Sequence, residues 1–447
     1  MRVFFLFFLT LLFIISVPKS SKAQAWLEDR DSSEGPGIKL SSSLVLHLGL
    51  GTEVGFDSNA TYDNDAVRAA RLRVTPYVDI STRSGERTEK IDGAVDSALP
   101  KALFRFGVAA FYDRYFASEK DRVEKFNSKT NPFGVDSHLN FTVYPERKVS
   151  LLGGVTYIKT LEPYESSSDA QNKHHIVPML GFKIKPGGGT LTIEPKYRLD
   201  LLVFDDKRVG IDYNRFSHEA SLLTNWKIFP KTALISNVIF RPTVYFGDHA
   251  QNVDSYPLRS WFGAQGLLLE RFGFRALLGY GVGFYEQDSD FEGIIGDGAV
   301  MFYFSRGAKL TVGIKRDFMD SFYANYYVMT GGYANYQRIF AGRLLLSFDG
   351  SVYKRKYAYF DRTVQRENDT SVTPDQFERD DVWIAFKILS ELRASDWLSF
   401  HMSLRFLKDV TDFSSTIKDT SRNPLPTEHE DASFSRVEIF LGARAHY

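Results

Sequence analysis

The stretch Leu191-Thr192-Ile193-Glu194-Pro195-Lys196-Tyr197-Arg198-Leu199-Asp200-Leu201 alternates apolar and polar side chains without a break. Successive side chains of a strand point to opposite faces, so this segment has one wholly apolar face and one strongly polar face. The pattern returns at Leu72, Val74, Pro76, Val78 and Ile80 against Arg71, Arg73, Thr75, Tyr77 and Asp79. It returns again at Leu398, Phe400, Met402, Leu404 and Phe406 against Ser399, His401, Ser403 and Arg405. A soluble sandwich alternates in the same way, but its strands average about 5–6 residues. The runs here last about 10–16, and a tilted membrane-spanning strand needs about 9–11.

The connections point the same way. Tight reversals at Pro145-Glu146-Arg147-Lys148, Pro186-Gly187-Gly188-Gly189, Phe229-Pro230-Lys231-Thr232, Glu270-Arg271-Phe272-Gly273 and Phe340-Ala341-Gly342-Arg343 carry the Gly or Pro that turns favour, and Ala394-Ser395-Asp396 offers Ser and Asp instead. Between them lie long hydrophilic stretches such as Ala117–Asn131, Glu162–Lys173, Tyr359–Asp380 and Asp412–Glu430. Short turns at one end and long loops at the other are the asymmetry of an outer-membrane barrel, with the turns periplasmic and the loops extracellular. Arg83–Lys101 departs from it, being long where a short turn is expected. The expected fold is therefore all-β: a transmembrane antiparallel β-barrel over residues 41–447, of about 18 strands with 16 left open. The parity of Trp261–Leu269 and Tyr326–Phe340 does not settle the count.

The chain ends fit export. Met1-Arg2 precedes an apolar run from Val3 to Val17, followed by Ala23-Gln24-Ala25 at the spacing of a signal-peptidase site. About 15 apolar residues is short for a bilayer-spanning helix of about 20. A signal peptide over 1–25 is thus expected, cut before Gln24 or Trp26, with residues 26–40 as a polar, flexible periplasmic lead-in. There are 0 cysteines, so disulfides and lipid attachment through an N-terminal Cys are excluded. With 55 basic and 55 acidic residues the formal charge is +0, which argues against nucleic acid as a partner. Aromatic residues make up 15% of the chain, as the interfacial girdles of a membrane barrel require.

Catalytic and metal motifs are not intact. No G-x-S-x-G elbow, P-loop or H-E-x-x-H pair occurs, and His218-Glu219 meets Leu222 where the second His belongs. His174 and His175 are adjacent and should face opposite sides of a strand. The loop from Asp288 begins like a calcium loop, but Ala299 stands where its twelfth-position Glu should be. The expectation is no enzyme, no cofactor and no metal. What remains is the polar face, which in so wide a barrel lines the lumen. Its candidates are Arg71, Arg73, Arg105, Lys183, Lys185, Glu194, Lys196, Arg198, Asp200, Lys309, Lys315, Arg405, Arg436, Glu438 and Arg444. Their basic tilt suggests anionic solutes or polymers, while pairing across strands would neutralise them in place.

Three resemblances add to this reading. The last strand, with Val437, Ile439, Leu441 and the terminal Tyr447 on one face, resembles the signal recognised by the outer-membrane barrel-assembly machinery. His47-Leu48-Gly49-Leu50-Gly51-Thr52-Glu53-Val54-Gly55-Phe56-Asp57-Ser58-Asn59 resembles the opening strand of bacterial outer-membrane barrels associated with surface-polysaccharide export or gliding motility. The whole-chain layout is similar to that of substrate-specific porins. The resemblances imply an outer-membrane location and a conduit, either a porin-like channel or a polysaccharide-export pore. The alternative is a structural barrel anchoring an envelope or motility complex. The implied partners are outer-membrane lipid, the assembly machinery, and periplasmic export or motility components; oligomeric state is not readable.

Overall fold

The computed structural model describes residues 37–41, 43–60, 66–82, 101–117, 132–160, 173–205, 214–247, 252–286, 289–305, 308–321, 324–358, 364–366, 370–374, 378–419 and 427–447. The segment expected to be a signal peptide, most of the expected lead-in and nearly all of the Arg83–Lys101 connection lie outside them, as do most of the long loops.

Antiparallel strands follow one another along the chain. They are β1 (Leu44–Asp57), β2 (Ala69–Thr82), β3 (Ala102–Phe116), β4 (Phe133–Val143), β5 (Val149–Thr160) and β6 (Lys173–Ile184). Next come β7 (Leu191–Phe204), β8 (Arg215–Phe229), β9 (Thr232–Phe240, resuming over Thr243–Tyr245), β10 (Ser255–Leu269), β11 (Phe272–Tyr285) and β12 (Phe291–Ser305). The last are β13 (Ala308–Asp320), β14 (Tyr326–Phe340), β15 (Leu344–Tyr357), β16 (Asp380–Arg393), β17 (Leu398–Val410) and β18 (Phe434–His446). Each pairs with the next, and β1 pairs with β18 from Gly49↔His446 to Asp57↔Glu438. The sheet is therefore a closed 18-strand antiparallel barrel without a free edge.

The alternation decides which face is which. On the convex face the apolar row stands out, with Leu278 66% and Ile314 71% exposed; on the concave face Asp57 and Arg436 are 0% and 1% exposed. The described tight turns all fall at one end of the barrel, as the sequence analysis anticipates. The turn before β7 needs three glycines, because Gly187, Gly188 and Gly189 all take positive φ, a region costly to a side chain. Pro242, which has no N–H to donate, interrupts β9, and there His218 N–H donates to its carbonyl. At Gly263 of β10 a Cβ would collide with the backbone carbonyl oxygen of Ala276 on β11. Gly263→Ala should therefore lower stability by about 1–3 kcal/mol. Urea unfolding of the refolded barrel would show this; an unchanged midpoint would mean the strands separate freely there.

Above the loop ends the chain builds a second, four-stranded sheet. Val364–Arg366 and Thr370–Pro374 come from the β15–β16 connection, and Ser414–Asp419 and Thr427–Asp431 from the β17–β18 connection.

The barrel interior as candidate site

The concave face holds a continuous chain of charges where the barrel closes. Arg436 on β18 donates to Asp57 on β1 (Nε to Oδ1, 2.9 Å) and to Glu438 (2.8 Å). Arg71 on β2 donates to the same Glu438 oxygen (2.8 Å) and to both carboxylate oxygens of Asp113 on β3. Arg73 takes Asp113 (2.7 Å) and approaches Glu53 (3.8 Å), which shares a hydrogen bond with His401 of β17 (2.6 Å). Arg405 lies 3.6 Å from Glu438. The guanidinium of Arg71 also covers the Tyr115 and Phe440 rings at 4.9 and 5.2 Å. Arg71, Asp113, Arg436, Glu438 and Asp57 are all buried. Buried charges persist only when paired and hydrogen-bonded, and here every one named is. This cluster staples five strands across the seam.

Half-way along the wall formed by β11–β17 is a recess of about 500 Å³. Arg275 on β11 donates to both oxygens of Asp297 on β12 (3.0 Å each) and to the Tyr333 hydroxyl on β14 (2.7 Å). Asn335 donates to Asp349 of β15 at 2.6 Å. Lys315, Tyr353, Trp383, Lys387 and Arg405 also line it. Lys387 sits directly across from Asp349 and from Arg405, is exposed, and forms no ion pair within 4.0 Å among the described residues. The recess thus offers aromatic faces, charges of both signs already held in place, and one unengaged ammonium.

On the β10–β14 wall near the loop ends the interior carries an apolar cluster, which alternation did not anticipate. Trp261, Tyr285, Phe291, Ile295 and Phe318 form one buried cluster. Phe318 stacks on Phe291 with centroids 4.0 Å apart, and the Arg259 guanidinium lies 4.1 Å over the Phe318 ring. The cause lies in β13. It pairs with β12 only as far as Gly296↔Arg316, then keeps pairing with β14 through Phe318↔Val328. Freed from one neighbour, this end carries Phe318 to the inside, where Gly281 leaves room: a Cβ there would lie 2.5 Å from the ring.

The remaining sequence candidates lie on the concave face and are mostly paired. Arg105 meets Asp79 (2.9 Å), Lys183 and Lys196 share Glu194 (2.9 and 2.8 Å), and Arg198 meets Glu219 (2.6 Å). Asp200 binds both His175 and Arg241 at 3.0 Å, and Lys315 lies 3.2 Å from Asp317. Lys185 donates to the Pro145 carbonyl (2.7 Å), Lys309 lies 5.9 Å from the Tyr303 ring, and Arg444 lies 5.7 Å from the Tyr77 ring. The basic tilt read from the sequence is thus largely offset by carboxylates in place. Sequence reasoning did not single out Asp297, Asp349, Tyr333, Tyr353, Trp383 or Lys387, whose only signal was parity. His175 turns inward to Asp200, while His174 turns outward to the Tyr157 hydroxyl and Asp205, each at 2.9 Å. Among the described residues no group of three or more His, Asp or Glu is arranged to hold a metal.

No protein-family model matches the sequence, and no curated protein does. Solved structures similar to the chain include the outer membrane protein OpdK from Pseudomonas aeruginosa (9% identity, TM-score 0.46, covering 90% of this chain and 99% of that one). A BenF-like porin from Pseudomonas fluorescens is 10% identical (TM-score 0.46, 92% and 100% covered). The siderophore receptor PirA from Pseudomonas aeruginosa is 7% identical (TM-score 0.42, 90% and 80% covered). Identity at this level transfers no residue role.

Proposed function

We propose that the chain is an outer-membrane channel through which small polar solutes pass without energy input. The observation that carries this reading is the inversion of the barrel: apolar side chains on its exposed convex face, charged ones on its concave face. Soluble proteins rarely expose contiguous apolar patches beyond a few hundred Å². A closed sheet whose whole girth is apolar is stable where lipid covers it. Export behind the segment ending Ala23-Gln24-Ala25 belongs to the same reading. So does delivery to the assembly machinery by the last strand, whose Leu441 and Tyr447 stand 55% and 59% exposed on the convex face.

The recess supports a solute class. Tyr333, Tyr353 and Trp383 present ring surface beside the Arg275–Asp297 pair and Lys387. That suits a solute with polar edges and an apolar face, neutral or weakly anionic, better than a strongly charged one. Export of a surface polysaccharide is the same reading with a longer substrate, and it would require a periplasmic partner.

Conductance of the refolded protein in a planar bilayer tests this. Stable steps with weak ion preference are expected. Lys387→Glu changes the local charge by two, which at about 10 Å in water is about 0.8 kcal/mol. The cation-to-anion permeability ratio taken from the reversal potential should rise about sixteenfold, from about fourfold on each ion in opposite directions. A folded barrel that conducts nothing would overturn the channel. It would leave a structural barrel, for which the four-stranded sheet of the two loop connections supplies a partner surface.

A further inference from the structure

The convex face is apolar almost everywhere, but on β13–β17 near the loop ends it carries exposed cations. Arg316, Lys354, Lys356 and Lys408 are all exposed and occupy the outward parity of their strands. Register sets them close together. Arg316 faces Thr330, Thr330 faces Lys354, and Lys354 faces Val382, so these lie on one row across β13–β16. Lys408 faces Ile384, and Ile384 faces Val352, one step toward the turn ends; Lys356 lies one step toward the loops. With strands about 4.8 Å apart and about 3.4 Å per residue, every one of these cations falls within about 12 Å of Lys354.

Their own partners do not consume them. Lys354 pairs with Asp380 at 2.7 Å, and Arg316 donates to Thr330 Oγ1 and the Ile294 carbonyl at 3.0 and 3.1 Å. Lys356 and Lys408 form no ion pair within 4.0 Å among the described residues. Asp380 is the acid on the strands themselves, with exposed Glu378 and Asp412 just beyond the strand ends toward the loops, and Glu292 on β12 is engaged by the Tyr280 hydroxyl. On this row and one step below it the wall is hydrocarbon: Val382 and Val410 on the row are 37% and 42% exposed, and Ile314 and Val352 beneath it 71% and 44%. Elsewhere toward the loop ends, among the described residues, outward Lys and Arg stand singly: Arg68 just before β2, Arg114 near Phe116, and Lys159 at 3.6 Å from Asp205.

We propose that Arg316, Lys354, Lys356 and Lys408 form a binding site for the phosphorylated headgroup of a lipid whose acyl chains lie on the apolar wall of β13–β17. A cation cluster on the outside of the barrel cannot act on solutes inside it. Its position at the edge of the hydrocarbon band matches an anionic headgroup joined to chains. The inference rests on the reading that the convex face meets lipid, and on nothing about conduction.

The test is a native mass-spectrometric titration of the purified full-length barrel in neutral detergent. The probes are a diphosphorylated glucosamine-disaccharide lipid, the same lipid dephosphorylated, and inorganic phosphate. The phosphorylated lipid should bind at least tenfold tighter than its dephosphorylated form, and millimolar inorganic phosphate should not displace it. Each juxtamembrane cation is expected to contribute about fivefold, so K354Q/K356Q/K408Q should weaken binding about a hundredfold. Arg338→Gln at the opposite end of β14 should leave it unchanged. If the triple variant fails to refold, Lys408→Gln alone should still cost about fivefold. Equal binding of the two lipids, unweakened binding by the variants, or full displacement by inorganic phosphate would overturn the site. Absent conductance with lipid binding intact would strike the channel alone, while failure of the wild type to enter vesicles would strike the membrane reading beneath both.

Discussion

Arg436→Met should lower the stability of the barrel by about 3–5 kcal/mol, the cost of leaving buried carboxylates without their cation. Arg436 is 1% exposed and serves Asp57, at 0%, and Glu438, at 3%, so its loss strands charge with no solvent to replace it. Methionine keeps the length of the side chain and removes only the charge and donors. Urea titration of the refolded protein, followed by tryptophan fluorescence and by the heat-dependent gel shift of folded barrels, would measure the loss. Adding Asp57→Asn should recover part of it, because the stranded charge then disappears. By contrast, neutralising Lys354, whose pair with Asp380 is exposed, should change stability by less than about 1 kcal/mol. A loss below 1 kcal/mol for Arg436→Met would mean that the seam is held by its backbone ladder and not by its charges.

Leu278→Arg should destabilise the barrel in a bilayer by about 2–4 kcal/mol, since Leu278 lies in the middle of β11 and is 66% exposed on the convex face. Phe284→Arg, on the same face but near the loop end, should cost no more than about 1 kcal/mol. The contrast carries the information. If water covered the convex face, an exposed leucine exchanged for arginine would be within about 0.5 kcal/mol of neutral at both depths. Reversible folding into vesicles of fixed thickness gives both values on one scale, and equal, small losses would remove the membrane reading.

Much of this architecture was legible because alternation reports faces directly. Leu191–Leu201 announces an apolar and a polar side, and the Gly and Pro clusters announce reversals. Parity cannot report partners. That Arg71 reaches Asp113 and Glu438 depends on register across β18, β1, β2 and β3, and no local pattern encodes the stagger of a closed sheet. The basic tilt of the lining and the prospect of cross-strand pairing were both legible, but not which carboxylate meets which cation, as Lys183 and Lys196 share Glu194. Phe318 shows a second limit. Counted along β13 with Arg316, it belongs outside; it lies inside because the strand leaves β12 at that point. Lys354 and Lys356 show a third, since charges on the apolar parity look like interruptions of a pattern until the register of β13–β17 gathers them.

The seam joins the two ends of the barrel sequence: Asp57 and Arg436 are 379 positions apart, and β1 finds its second neighbour only in β18. A chain emerging from its N-terminal end must therefore carry β1 half-paired, with Asp57 lacking Arg436, until the final strand is delivered. Closure is then a late event in time as well as a distant one in sequence, set by the cost of bringing remote segments together. A chain lacking its last strand loses Arg436 and Glu438 at one stroke. It should collect as an unclosed sheet and not as a smaller barrel.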